Sequence, residues 1–157
     1  MRFKFRGKRI DNGKMVFGHY WTDDLGNHFI RVIEMSICYG FMPFDYEIDE
    51  ETVGQFIGLK GKECVGDIVK YENNSGNFCI GVIKYGEYEQ DGSAGEYPPS
   101  KCLGFYIERI KTLPFDEWDE EYGCYEPDYG KTISILKVDY EIIGNIHDNP
   151  ELLEVKE

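Results

Sequence analysis

The stretch RFKFRGKRIDNGKMVFGHYW, residues 2–21, indicates the type of fold. The basic residues Arg2, Lys4 and Arg6 alternate with two phenylalanines, and a period of two with aromatic side chains on one face is typical of a half-buried strand. The Asn-Gly pair after this strand tolerates the positive φ of a tight hairpin turn, so residues 15–21 are predicted to return as a second strand. The chain is therefore predicted to open as a β-hairpin.

The residues that follow extend this hairpin into a β-meander. A turn at DDLGN, residues 23–27, precedes a predicted third strand, HFIRVI, at 28–33. Residues 38–48, CYGFMPFDYEI, are aromatic but contain Gly40 and Pro43, which predicts an irregular or edge strand.

A short helix is predicted over residues 49–55. Asp49 can cap it, and the acidic residues of its first turn suit the positive end of the helix dipole. We expect the boundary between two units at Gly61-Lys62, with an amino-terminal β-rich unit at 1–60 and a second unit at 61–157. The fold class predicted for the whole chain is mainly β.

The second unit is predicted to be a small β-barrel closed by strands near both its ends. Its strands are expected at 63–71, 78–85, 102–110, 132–138 and 140–146. Residues 86–100 contain three glycines and a Pro-Pro pair, which predicts a mobile loop. Asn149 followed by Pro150 favours a short helix over 149–155.

Composition and charge exclude several classes of protein. With 30 acidic and 17 basic residues the net charge is −13, which disfavours nucleic acid as the main partner. The positive charge is segregated, because five of the basic residues lie within the first nine. No apolar run approaches the roughly 18 residues that cross a bilayer, and no signal peptide precedes the first strand, so we expect a cytoplasmic protein without a membrane partner.

The cysteines and histidines do not predict a metal site. Five cysteines without a C-x-x-C pair indicate reduced thiols that serve as small apolar residues. His19 and His28 flank the second turn and could face each other, with Asp23 and Asp24 nearby, but ordinary hairpin histidines are the favoured interpretation. The chain has no nucleotide-binding loop and no nucleophile elbow, so we expect no cofactor and no enzymatic activity.

The basic first strand is the first candidate interaction surface. Arg2, Lys4 and Arg6 project together on one face of the predicted strand and could grip phosphates. A solvated strand face, or an interface to an acidic neighbouring subunit, is the favoured interpretation.

An acidic and aromatic stretch is the second candidate surface. Residues 115–129, FDEWDEEYGCYEPDY, place Trp118, Tyr122 and Tyr125 among carboxylates. Such a stretch could dock into a basic protein groove or mimic a nucleic-acid backbone. The favoured alternative is an acidic loop whose aromatic side chains cover the barrel.

Four blocks of sequence stand in order along the chain: KFRGKRIDNGKMVFG (4–18), ETVGQFIGL (51–59), GDIV (66–69) and EIIGNIHDNPELL (141–153). Together they resemble the YopX family of phage and prophage proteins. The resemblance implies a phage-encoded intracellular protein with a carboxy-terminal region similar to an SH3-like barrel and a tendency to self-assemble. It assigns no catalytic residues. Residues 86–131 have no counterpart in it and are interpreted as an acidic insertion.

These observations together predict an accessory protein that works through protein–protein contacts. The expected partner is a second copy of the chain, in a homo-oligomer, and a host or phage protein is a further candidate. The alternative is a nucleic-acid-associated regulator that uses the basic first strand, and a distant alternative is an enzyme with a site between subunits. The glycines of the four blocks suit turns and close backbone approach, so the blocks describe a fold and not a site.

Overall fold

The computed structural model describes residues 4–58, 61–73, 76–90, 98–113 and 132–154. The described residues are mainly antiparallel β-strands, which confirms the predicted fold class. They fall into two compact units, one ending at Cys64 and the other beginning at Val65.

The first unit is a closed barrel of four antiparallel strands. The strands are β1 (Phe5–Arg9), β2 (Met15–Thr22), β3 (His28–Ser36) and β4 (Gly40–Gln55). Successive strands pair as the predicted meander, and β1 also pairs with β4, which closes the barrel. The sequence predicted the first three strands and the first part of β4, but not this closure.

The interior of this barrel is narrow, and two glycines allow its strands to approach each other closely. Ile30 and Ile48 are buried inside. A Cβ on Gly18 would overlap the carbonyl oxygen of Arg31, and a Cβ on Gly7 would overlap the Cδ1 atom of Ile48. The facing strands can therefore approach this closely only because neither glycine carries a side chain.

The helix predicted over 49–55 is wrong, because this segment is the last part of β4. The carboxylate of Asp49 does accept a local hydrogen bond, from the backbone N–H of Glu51 at 3.1 Å. The backbone N–H of Lys8 then donates to the Thr52 hydroxyl at 2.7 Å, and the pairing of β1 with β4 shifts register here. The capping signal thus marks an irregularity within a strand, since pairing with β1 holds the segment extended.

The second unit contains a five-stranded antiparallel sheet in the order β8-β7-β6-β5-β9. Its strands are β5 (Asp67–Glu72), β6 (Phe78–Gln90), β7 (Ser100–Thr112), β8 (Thr132–Ser134) and β9 (Tyr140–Asn145). The SH3-like barrel expected for this unit is not confirmed, because the described strands form a sheet with β8 and β9 at its two edges.

The carboxy-terminal helix is shorter than predicted. In place of a helix over 149–155 the chain makes one 3-10 turn, Pro150–Leu153. The Asn149 side chain does not cap this turn. Leu152 and Leu153 pack against the apolar cluster of Ile68, Ile80 and Val82. The turn therefore covers one face of the sheet.

The loop predicted at 86–100 is wrong at both of its ends. The strands β6 and β7 run into it and stay paired as far as Gln90 opposite Ser100. Ring contacts across the two strands support this long hairpin: the centroids are 4.9 Å apart for Tyr85 and Phe105, and 5.0 Å apart for Tyr88 and Tyr106. Such aromatic pairs stabilise a ribbon that its glycines would weaken.

We predict that Gly18→Ala and Gly7→Ala both destabilise the first unit, each by about 1–3 kcal/mol, because each adds a methyl group to a filled interior. The measurement is urea unfolding followed by the fluorescence of Trp21, in a Trp118→Phe background, since the chain has two tryptophans.

The two variants should differ in how they can be rescued. Gly7→Ala meets the end of a side chain, so adding Ile48→Val, which removes Cδ1, should restore part of the loss. Gly18→Ala meets backbone, so Ile48→Val should not restore it. Equal rescue of both variants would contradict the packing described here.

Candidate interaction surface

The most unusual surface of the first unit is a hairpin that extends beyond the barrel, formed by residues 32–44 and called here the arm. The pairing of β3 with β2 ends at Arg31, and the pairing of β4 with β1 ends at Ile48. Between these points β3 and β4 pair with each other, from Val32 opposite Phe44 to Ser36 opposite Gly40. Among the described residues, no further strand flanks this ribbon.

The arm exposes large apolar side chains on both of its faces. They are Ile33, Met35, Ile37, Tyr39, Phe41, Met42 and Phe44, with exposed fractions from 39 % for Met42 to the whole side chain of Ile37. At roughly 200 Å² for each fully exposed side chain, the seven together expose on the order of 900 Å². The largest apolar patch on a typical monomer is about 300–600 Å², and the arm exceeds this range over its two faces and tip together, which gives it the character of an interface.

The arm is also almost free of charge. Among its 13 residues only Glu34 is acidic or basic, in a chain in which 30 % of residues are charged. The hydroxyl of Tyr46 donates to the Glu34 carboxylate at 3.0 Å, and this bond raises the pKa of Tyr46. The only charged side chain of the arm is thus hydrogen-bonded to a residue at the point where the arm joins the barrel.

An ion pair fixes the point where the arm leaves the barrel. The guanidinium of Arg31 donates two hydrogen bonds to the carboxylate of Asp45, at 2.8 and 2.7 Å. The indole N–H of Trp21 donates to the same carboxylate at 3.1 Å, and the indole stacks on Phe29 with centroids 4.7 Å apart. Hydrogen bonding from Arg31 lowers the pKa of Asp45.

A pocket of about 570 Å³ lies at the end of the barrel near the turn between β2 and β3. His28 lies on its wall, where Nδ1 is 2.6 Å from the Tyr20 hydroxyl and Nε2 is 2.9 Å from Glu50. Charges of both signs line this pocket, Lys8 and Arg9 on one strand and Glu47, Asp49 and Glu50 on another. Both ring nitrogens of His28 therefore have protein partners, which fixes the orientation of the ring.

The two hairpin histidines do not face each other. His19 is opposite Arg31 and His28 is opposite Thr22, so the alternation of side chains along β2 and β3 puts the histidines on opposite faces. Among the residues that the structure describes, no group of three or more His, Cys, Asp or Glu side chains is arranged to hold a metal ion.

The interaction residues predicted from sequence differ in exposure, and only some of them lie in the part of the chain that the structure describes. Lys4 is exposed just before β1, but Arg6 is only 6 % exposed, so the expected solvated basic face does not include it. Arg2 and the aromatic residues Trp118, Tyr122 and Tyr125 lie outside the described residues.

Sequence reasoning missed the arm. The signal is present in the low charge of residues 32–44, but the sequence prediction divides them between the third strand, which ends at 33, and the irregular or edge strand at 38–48. Exposure depends on which neighbouring strands end early, and the local pattern does not contain that information.

In the described part of the chain, no helix has the length and apolar composition needed to cross a membrane.

The fold and the arm define a class: a two-unit antiparallel β protein whose first unit carries an apolar hairpin on a small closed barrel. The particular family follows from comparison with family models, where the one described as YopX protein matches residues 4–154. The chain belongs to the YopX family, which confirms the resemblance found in its sequence. No curated protein and no solved structure matches it significantly.

We predict an acid-dependent loss of stability from the ion pair at the base of the arm. The pKa of Asp45 is lower in the folded protein than its ordinary value of 3.8, so the pair contributes fully above the unfolded pKa and is lost as the pH falls through the folded one. Urea unfolding should therefore show a cost of Asp45→Asn that is largest near neutral pH and shrinks below about pH 4. Asp24→Asn, in the turn between β2 and β3, is the control, and a cost of Asp45→Asn that does not change with pH would contradict the prediction.

A strong chelator should leave the thermal midpoint unchanged. A closed metal site contributes folding free energy that chelation removes, and the two hairpin histidines are separated by the sheet. Differential scanning fluorimetry with and without EDTA measures this. A fall of several degrees would show that a metal site exists elsewhere in the chain.

Proposed function

We propose that this YopX-family protein is a phage or prophage accessory protein that works in the cytoplasm through protein–protein contacts, without enzymatic activity, as a homo-oligomer. The observation that carries the proposal is the exposed apolar arm, residues 32–44. The partner that we propose for the arm is a second copy of the chain.

The size of the exposed surface supports this partner. A standard protein–protein interface buries about 800 Å² on each partner. The apolar side chains of the arm expose on the order of 900 Å² in total over its two faces and its tip, so contact that covers part of them supplies a substantial share of such an interface.

The distribution of charge supports it as well. Two chains that each carry a net charge of −13 repel each other over most of their surfaces. The arm carries one charged residue in 13, so contact there brings few like charges together. Because Tyr46 holds Glu34 by a hydrogen bond, even this charge has a partner within its own chain.

Light scattering coupled to size exclusion tests the proposal. The wild-type chain should elute with the mass of two or more subunits at tens of micromolar, and Phe41→Glu should shift it toward the monomer because it puts a like charge on each copy in the apolar surface where the copies meet. Leu25→Glu is the matched control, since Leu25 is 87 % exposed in the turn between β2 and β3 and the substitution adds the same charge outside the arm. A monomeric wild-type chain, or equal effects of the two variants, would overturn the proposal.

A further inference from the structure

The two edges of the arm differ in how well they can pair with another strand. The β4 edge contains Pro43, which lies opposite Ile33. Proline has no backbone N–H to donate, and within sheets it is confined to positions where that N–H would point away from the neighbouring strand. Pro43 therefore leaves the β4 edge without a donor at the middle of the arm, a common way in which proteins block strand addition.

The β3 edge has no such block. The carbonyl oxygen of Arg31 points toward β2, because a Cβ on Gly18 would overlap it. Backbone groups alternate in direction along a strand, so the N–H and C=O groups of Ile33 and Met35 point to this same side. The pairing of β2 with β3 has already ended at Arg31, and among the described residues no other strand reaches these groups.

We propose that the β3 edge of the arm pairs antiparallel with the β3 edge of a second copy, so that two arms form one four-stranded sheet. This inference rests on the proposed self-association and names the strand that carries it. The pairing is isologous, with the same edge used by both copies. It would place Ile33, Met35 and Phe41 of both copies on one continuous apolar face, since cross-strand partners share a face.

Electrostatics selects the register of this pairing. Centring the two-fold axis on Glu34 would place two carboxylates directly opposite each other, which destabilises a sheet. Centring it on Met35 places Glu34 opposite Ser36 of the second copy and brings the outward-pointing backbone groups of the two Met35 residues together. The second arrangement avoids the repulsion and forms hydrogen bonds. Centring the axis on Ile33 would do both as well, but it would place Met35 opposite Arg31, which β2 already pairs with, so fewer residues could pair. Met35 opposite Met35 is therefore the inferred register.

Disulfide trapping tests the register. Residues that exchange hydrogen bonds in an antiparallel pair have Cα atoms about 5.5 Å apart, within the roughly 4.4–6.8 Å that a disulfide spans. Met35→Cys should therefore form a covalent dimer under mild oxidation. The background is Cys38→Ser, Cys102→Ser and Cys124→Ser, which removes the cysteines other than the buried Cys64 and Cys79.

Phe41→Cys is the matched control. Phe41 is 75 % exposed and Met35 is 77 % exposed, and the two residues are cross-strand partners, but Phe41 lies on the β4 edge. Met35→Cys should cross-link at least about tenfold faster, because paired thiols have an effective concentration in the millimolar range. Equal rates for the two variants would overturn the proposed edge.

A second variant separates this inference from the proposed function. Met35→Pro removes the outward-pointing N–H without removing a bond to β4, so it should reduce the light-scattering mass to that of the monomer, and Met35→Ala should reduce it less. An oligomer that survives Met35→Pro and does not cross-link through Met35→Cys would refute β3 pairing while leaving self-association intact. A wild-type monomer would refute both.

Discussion

The first unit depends on the closure of four strands of unequal length around a narrow interior. Ile30 and Ile48 fill that interior, and Gly7 and Gly18 lie where any side chain would overlap a neighbouring strand. Barrel closure removes the unpaired edges that would otherwise attract other chains. It does so only over the length of its shortest strand, because a strand pairs no further than its neighbour extends.

The arm is a direct consequence of unequal strand lengths. β1 has 5 residues and β4 has 16, so β4 extends well past the end of its partner. The parts of β3 and β4 that extend past their neighbours in the barrel pair with each other and leave the barrel as a ribbon. An isolated two-stranded ribbon is marginally stable in water, and the Arg31–Asp45 ion pair with the Trp21–Phe29 stack supports this one at its base.

The second unit follows a related rule in an open sheet. β6 and β7 each have 13 residues, whereas β5 has 6 and β8 has 3. The outer part of the β6–β7 hairpin therefore relies on contacts between its own aromatic side chains. In both units a hairpin thus extends beyond the shorter strands that flank it.

The sequence by itself determined the mainly β class, the meander of β1 to β3, the start of a helical segment at Pro150 and the family. These depend on alternation, turn residues and short motifs, which are local properties. The tertiary structure decided the closure of the first barrel, the extended form of 49–55 and the exposure of the arm. The hydrogen bond from Lys8 to Thr52 joins residues 44 positions apart, and such long-range pairing overrides a local capping signal. Sequence patterning identifies which residues form strands, but only the lengths and registers of the paired strands determine which of them remain exposed.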